Sequence, residues 1–259
     1  MSENTAIGMR RIVAMAAGSV VLWRVAALVL VYQQDGIDDS WVIKTLLAIL
    51  GVVFVACGLL VFWRIPSRAS LLFAGFCICS GLHWGGPLDL PPGQLRTGLI
   101  LFYILVSGFL GSTFLLQFTL CFPQKYRVAD KRNLIRSLYA PVVVATVLAA
   151  VYLILPPASS IRGTTNGLFM LLHGIVSNLF ALIAFTLVAS RILHSDPTRP
   201  RKRYMVLMVA GMLTAWLPYL VAASVGVDTD PWNLMMVALP ISFTVALFGT
   251  KRARRESHA

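Results

Sequence analysis

Arg24, His83 and His173 are the residues of this chain best placed to do chemistry, because each stands in or at the end of a long apolar run. A polar side chain is costly to bury in such a run. Arg24 interrupts the run that begins near Ile12. A charge near mid-bilayer costs from about 2.5 to more than 10 kcal/mol depending on the reference state, so it requires a partner or a water-filled pocket. At about 100° per residue, Ala17 and Ala27 share its helical face, the small-residue surface on which one membrane helix packs against another. Two readings follow. Either Arg24 is buried against a carbonyl, an acidic loop residue or a bound anion, or its long side chain snorkels to a headgroup. His83 closes a later run, with Cys79 and Ser80 one turn back and Trp84 beside it, while His173 lies near the start of another, with Ser177 on its face and Asn178 deeper. At matching depth the two histidines, with Arg24, Lys44 and Tyr103, can line a pocket where a ligand meets hydrogen-bonding groups against an apolar wall. The competing reading for each imidazole is a hydrogen bond to a neighbouring helix.

Other chemistry is thinly represented. The chain has no nucleophile elbow, no Gly-Lys-Ser/Thr phosphate loop, no HExxH and no carboxylate inside an apolar run. Cys57, Cys77, Cys79 and Cys121 all lie within apolar runs, and Cys77 and Cys79 point to different sides of a helix, so they are read as packing residues. The expectation is a protein that is not an enzyme and that carries neither cofactor nor metal.

The elements that must position these groups follow from composition. Of 259 residues, 58% are hydrophobic and 12% charged, against the roughly 45–50% and 25% of a soluble domain. The apolar residues fall in blocks of about 18 to 25, each long enough to cross roughly 30 Å of hydrocarbon. The expected fold is all-α, a single polytopic domain of eight transmembrane helices over 12–32, 42–63, 69–86, 99–122, 138–155, 168–192, 204–225 and 233–249. With both termini cytoplasmic, 18 of the 22 Lys and Arg fall inside, which accounts for the net charge of +12 without nucleic acid. Tyr32, Trp41, Trp63, Trp84, Tyr204 and Trp232 sit near span ends, as interfacial rings do. Arg24, and the lack of a small-x-small cleavage site, favour a retained first span over a signal peptide.

Pro218 and Pro240 each remove a helical hydrogen bond and are candidate hinges. Ala14 and Gly18, Ser107 and Gly111, Gly108 and Ser112, and Gly211 and Ala215 have the spacing that lets helices approach closely. Met205, Met208 and Met212 form a stripe read as core.

Two stretches are more specific. One runs from Ser112 through Phe114, Phe118 and Phe122 to Pro123 and a basic loop, with Pro141 opening the next span. The other runs from Arg199-Pro200-Arg201-Lys202-Arg203 through Gly211, Leu217-Pro218 and Leu239-Pro240 to Ala246. Over about residues 99–250 they resemble the multi-spanning N-terminal sensor regions of bacterial histidine kinases, a group that includes pheromone receptors. The resemblance implies signal reception. In that family the last span continues into dimerisation and ATP-binding domains, whereas here Lys251-Arg252-Ala253-Arg254-Arg255 is followed by four residues. Kinase activity is therefore not carried over, and the chain is expected to be an inner-membrane sensor module working through a separate kinase or signalling partner. Membrane lipids and a second copy in a homodimer are its other expected partners, and the alternative function is a small-molecule carrier or an accessory subunit.

The basic asymmetry makes the topology testable by reporter fusion. Alkaline phosphatase joined after Asp39, Gly93, Thr164 or Asp228 is expected to be active, and joined after Arg203 or Arg255 inactive. High activity at Arg255 overturns the orientation.

Overall fold

Hydrocarbon offers the backbone no hydrogen-bond partners, so a long apolar run can satisfy its N–H and C=O groups only within itself, as helix. The computed structural model describes residues 3–35, 39–83, 93–122, 126–156, 159–194, 200–227 and 230–256, and these are helical with short connections. The elements are α1 (Glu3–Asp35), α2 (Asp39–Arg64), α3 (Arg68–His83), α4 (Gln94–Ile104), a π-helical segment (Leu105–Leu110) and α5 (Gly111–Cys121). A 3₁₀ turn (Arg127–Asp130), α6 (Arg132–Ile154), α7 (Ser160–Leu193), α8 (Pro200–Ser224), α9 (Asp230–Asn233), a second 3₁₀ turn (Leu234–Val237) and α10 (Ala238–Glu256) complete the chain. No strand occurs among the described residues.

Seven helical stretches are long and apolar enough to cross a membrane, and α3 is an eighth, shorter apolar helix. Its 16 described residues span about 24 Å. The expected fourth span is divided by the π segment, and the expected fifth starts earlier, at Arg132, so Pro141 lies inside α6 rather than opening it. Pro218 lies inside α8. Pro240 is the third residue of α10, inside the apolar stretch Leu234–Lys251 and just after the second 3₁₀ turn.

α3 is the centre of the bundle, packed by α1, α2, α5 and the π segment. It is buried on nearly all sides, including Phe73, Phe76, Cys77 and Cys79. α6 by contrast buries only the seam Leu138, Ala145 and Ala149, and turns Val143, Val144, Val147 and Val151 outward. Such apolar exteriors suit a lipid-facing surface. Towards the end of the bundle that carries Arg64 and Cys121, here the Arg64 end, four rings interlock. Phe73 lies 5.4 Å from Phe118 and 6.0 Å from Phe243, and Phe118 lies 5.5 Å from Phe243 and 5.4 Å from Phe122. The opposite end is called the Gln94 end.

Among apolar side chains the hydrophobic effect gives helices in lipid little reason to associate, so close backbone contact has to hold them. α2 and α3 run antiparallel with Gly51 against Gly81 and Gly58 against Ala74. A Cβ on Gly51 would stand 2.7 Å from the Gly81 carbonyl oxygen, and one on Gly58 2.7 Å from Cys77 Cβ. The expected pair Gly211 and Ala215 also packs, with Gly211 against Ser242 of α10, and Met205, Met208 and Met212 are buried core. Gly18 differs from expectation, because its α-carbon faces open space rather than a neighbouring helix.

Gly51→Leu and Gly58→Leu are therefore expected to lower stability in detergent by about 1–3 kcal/mol or more through overpacking, while Gly18→Leu leaves it unchanged. Thermal unfolding of the three purified variants checks this. Equal midpoints for all three would show that the α2–α3 approach does not limit stability.

Candidate functional site

The last described turn of α3 lies inside the bundle. Tyr103, which meets it, is nine residues into α4, and Arg24, which also meets it, is eleven residues before the end of α1. At 1.5 Å per residue this level lies about 13–16 Å below the Gln94 end of those helices. The final four carbonyls of a helix have no partner within it and carry the negative end of its dipole. Arg24 reaches two carbonyls of the last described turn of α3. Its Nε donates to the Gly81 carbonyl at 2.9 Å, and one terminal nitrogen donates to Gly81 at 2.7 Å and also to Leu82. The Tyr103 hydroxyl donates to the His83 carbonyl. α1 aims the guanidinium by burying Val13, Ala17, Val20 and Ala27 along one face, and Gly51 leaves the space it passes through, 3.3 Å from where a Cβ would stand. Arg24 is 1% exposed, so the snorkelling alternative does not hold.

Next to this cap the helix from Gln94 to Cys121 widens into the π segment. Such bulges inside α-helices are frequent at functional sites. The Ser107 hydroxyl donates to the Tyr103 carbonyl at 2.7 Å. Its single proton is thereby used, so the 3.4 Å contact between Ser107 Oγ and His83 Nδ1 assigns the donor role to the imidazole. The His83 ring stacks on Tyr103, with centroids 5.8 Å apart. Gly108 carries no side chain, and the His173 imidazole lies where its Cβ would be, tilted against the Phe109 ring at 5.6 Å. Neither His173 ring nitrogen has a hydrogen-bond partner among the described residues.

Both histidines face one cavity of about 650 Å³ bounded by α3, the π segment, α5, α7, α8 and the stretch from Asn233 to Leu239. Asn178 lines it too, donating through Nδ2 to the Gly174 carbonyl at 2.7 Å. Ser177 Oγ, also on the wall, is buried without a hydrogen-bond partner. The structure thus brings His83, His173 and Asn178 together. It places Arg24 and Tyr103 elsewhere, behind the end of α3 as its caps, and Lys44 is not on the wall. Trp84 lies outside the described residues. Sequence reasoning missed the contributions of Ser112, Trp216 and Met212. The available signal was the cluster Ser107, Gly108, Gly111 and Ser112, whose spacing reads equally well as ordinary helix packing.

At the Arg64 end two further helix termini are capped from other helices. Arg191 donates to the Phe122 carbonyl at the end of α5, with its guanidinium 4.0 Å over the Tyr126 ring. Lys251 Nζ donates to the Arg64 carbonyl at 2.9 Å, closing α2. Arg68, at the start of α3, pairs with Asp130 at 2.7 Å. Among the described residues no group of His, Cys, Asp and Glu is placed to hold a metal ion, and none of the four cysteines forms a disulfide.

Removing a charged donor from buried carbonyls costs about 1.5–3 kcal/mol per bond, and removing a neutral one about 1. Arg24→Leu is expected to be the most destabilising, Arg24→Lys intermediate because one ammonium cannot span both carbonyls, and Tyr103→Phe mild. Denaturant unfolding in micelles ranks them, and an Arg24→Leu protein as stable as the parent would mean that the cap is dispensable. No protein-family model, curated protein or solved structure matches the chain.

Proposed function

We propose that the chain is an eight-crossing sensory module of a bacterial inner membrane, with its termini and Arg64 end cytoplasmic, that receives an external or membrane-borne signal in the cavity and relays it to a signalling partner. The observation that carries this reading is the meeting of His83 and His173 on one cavity displaced towards the Gln94 end. α3 counts as the eighth crossing because it leads from the Arg68–Asp130 pair to the level of Tyr103, antiparallel to α2. The concentration of basic residues in the connections at the Arg64 end supports the orientation.

Sensing is favoured over transport by what lies beneath the cavity. A carrier must open its site to each side in turn. Here Phe73, Phe118, Phe122 and Phe243 fill the way towards the Arg64 end. A route for a signal exists instead. Trp216 and Leu217 line the cavity two and one residues before Pro218, where α8 lacks a backbone hydrogen bond to Thr214, and α8 packs closely on α10 through Gly211 and Ser242. A ligand pressing on α8 would shift α10, whose Lys251 holds the end of α2.

Deleting the gene in the source bacterium is expected to change the phosphorylation of a response regulator on phosphate-affinity gels. The parent chain restores it, and Ala181→Phe, which fills the cavity, does not. Unchanged regulators on deletion, together with saturable solute uptake by proteoliposomes, would replace this reading with that of a carrier.

A further inference from the structure

The cavity is graded along its length. On α3 its wall changes from His83 and Ser80 to Phe76, on the π segment and α5 from Ser107 and Ser112 to Leu115, and on α7 from His173, Ser177 and Asn178 to Ala181 and Phe185. These elements are aligned by the contacts of His83 with Ser107 and of His173 with Gly108, so the polar ends lie at one level and the apolar ends at another. The polar level contains hydroxyls, an amide and two imidazoles, and among the described residues no Lys, Arg, Asp or Glu is on the wall. The cationic neighbour Arg24 is turned to the α3 carbonyls. An anionic headgroup would meet no counter-charge there, and a cationic one no carboxylate.

The mouth can be located from residues that belong to the wall and to the outer surface of the bundle at once. Leu182 of α7 and Leu213, Leu217 and Leu220 of α8 line the cavity, yet each is 45–61% exposed. The α8 residues follow one another at i, i+4 and i+7, one edge of a helix, and Asn178 and Leu182 form the facing edge of α7. The opening is thus a slit between α7 and α8 at bilayer depth, edged by leucines. What reaches it comes from hydrocarbon.

Taking the cavity as the reception site proposed above, we infer that its ligand is a neutral amphiphile, a hydrogen-bonding head such as an alcohol, amide or ketone on a hydrocarbon tail, which slides in from the bilayer between α7 and α8. Its head lies among His173, Ser177 and Asn178, where a ring nitrogen pair, a hydroxyl and an amide oxygen have no partner among the described residues. Its tail lies along Phe185, Leu115 and Met212. A volume of about 650 Å³ is in the ordinary range for a site that encloses a molecule of this size.

Trp216 on the wall is a built-in reporter, since bromine quenches indole emission at short range. The parent protein in phosphatidylcholine nanodiscs is titrated with dibromostearyl alcohol, with dibromostearate at alkaline pH and with water-soluble dibromopropanol, and Trp216→Phe supplies the background of the other tryptophans. The expected result is a saturable quench by the long-chain alcohol only, absent from Trp216→Phe and abolished in Ala181→Phe or, should that variant not fold, in Gly174→Leu, whose Cβ meets no atom. Quenching that rises in proportion to added alcohol and is the same in the filled variant overturns the site. Equal saturable quenching by stearate overturns the neutral head, and by dibromopropanol the access from lipid. Because the measurement reads binding and not signalling, its failure leaves the sensory reading to be judged by regulator phosphorylation alone.

Discussion

A guanidinium among apolar helices must find its acceptors within the protein, and the rest of this structure is arranged around the meeting of Arg24 with the carbonyls of the last described turn of α3. The donors come from two other helices, a guanidinium from α1 and a phenol from α4. To deliver the guanidinium, α1 must lie against α2 at Gly51, and Gly51 must touch Gly81. To deliver the phenol, α4 must present Tyr103 to His83, which sets the level of Ser107 and Gly108 and so the place where the second histidine enters. Arg24 is thus turned to the α3 carbonyls and does not line the cavity. It is the condition under which His83 is held at the cavity wall.

The same device closes the other end with a different consequence. Arg191 and Lys251 cap α5 and α2 from α7 and α10, so helices distant in sequence are joined through charge-assisted bonds to backbone oxygens, beside the Arg68–Asp130 ion pair. Acidic partners are scarce in this chain, with 10 Asp and Glu against 22 Lys and Arg. Carbonyls at helix ends are the acceptors that remain. Basic side chains thus have a structural use in holding helix ends together.

What could be read in the sequence was what depends on composition and period. The apolar blocks showed the helices, and Ala17 and Ala27 showed the face on which Arg24 is buried, because a small-residue face at 100° per residue is a local property. The identity of the acceptor was not legible, since any helix end can supply carbonyls and nothing in Gly81 or Leu82 marks them. His83 and His173 could be matched in depth by counting from span ends, but whether they face one another depends on helix rotation, which counting does not fix. The bulge that decides it is built from Ser107, Gly108 and Gly111, residues with no preference that separates π from α.

That bulge also sets the phase of the longest divided helix in the bundle. A turn of π-helix holds one residue more than the corresponding α-turn, and in an α-helix one residue is about 100° of rotation. Without the surplus residue, α4 and α5 could not both keep their present faces inward: if Thr113 and Phe118 stayed against the core, Tyr103 would swing about a quarter-turn away from His83. The segment therefore acts as a phase shifter between two half-helices. The lower half is free to follow the phenylalanine cluster while the upper half follows the end of α3, and the single-residue offset between those two registers is what opens the wall at Gly108 to an imidazole.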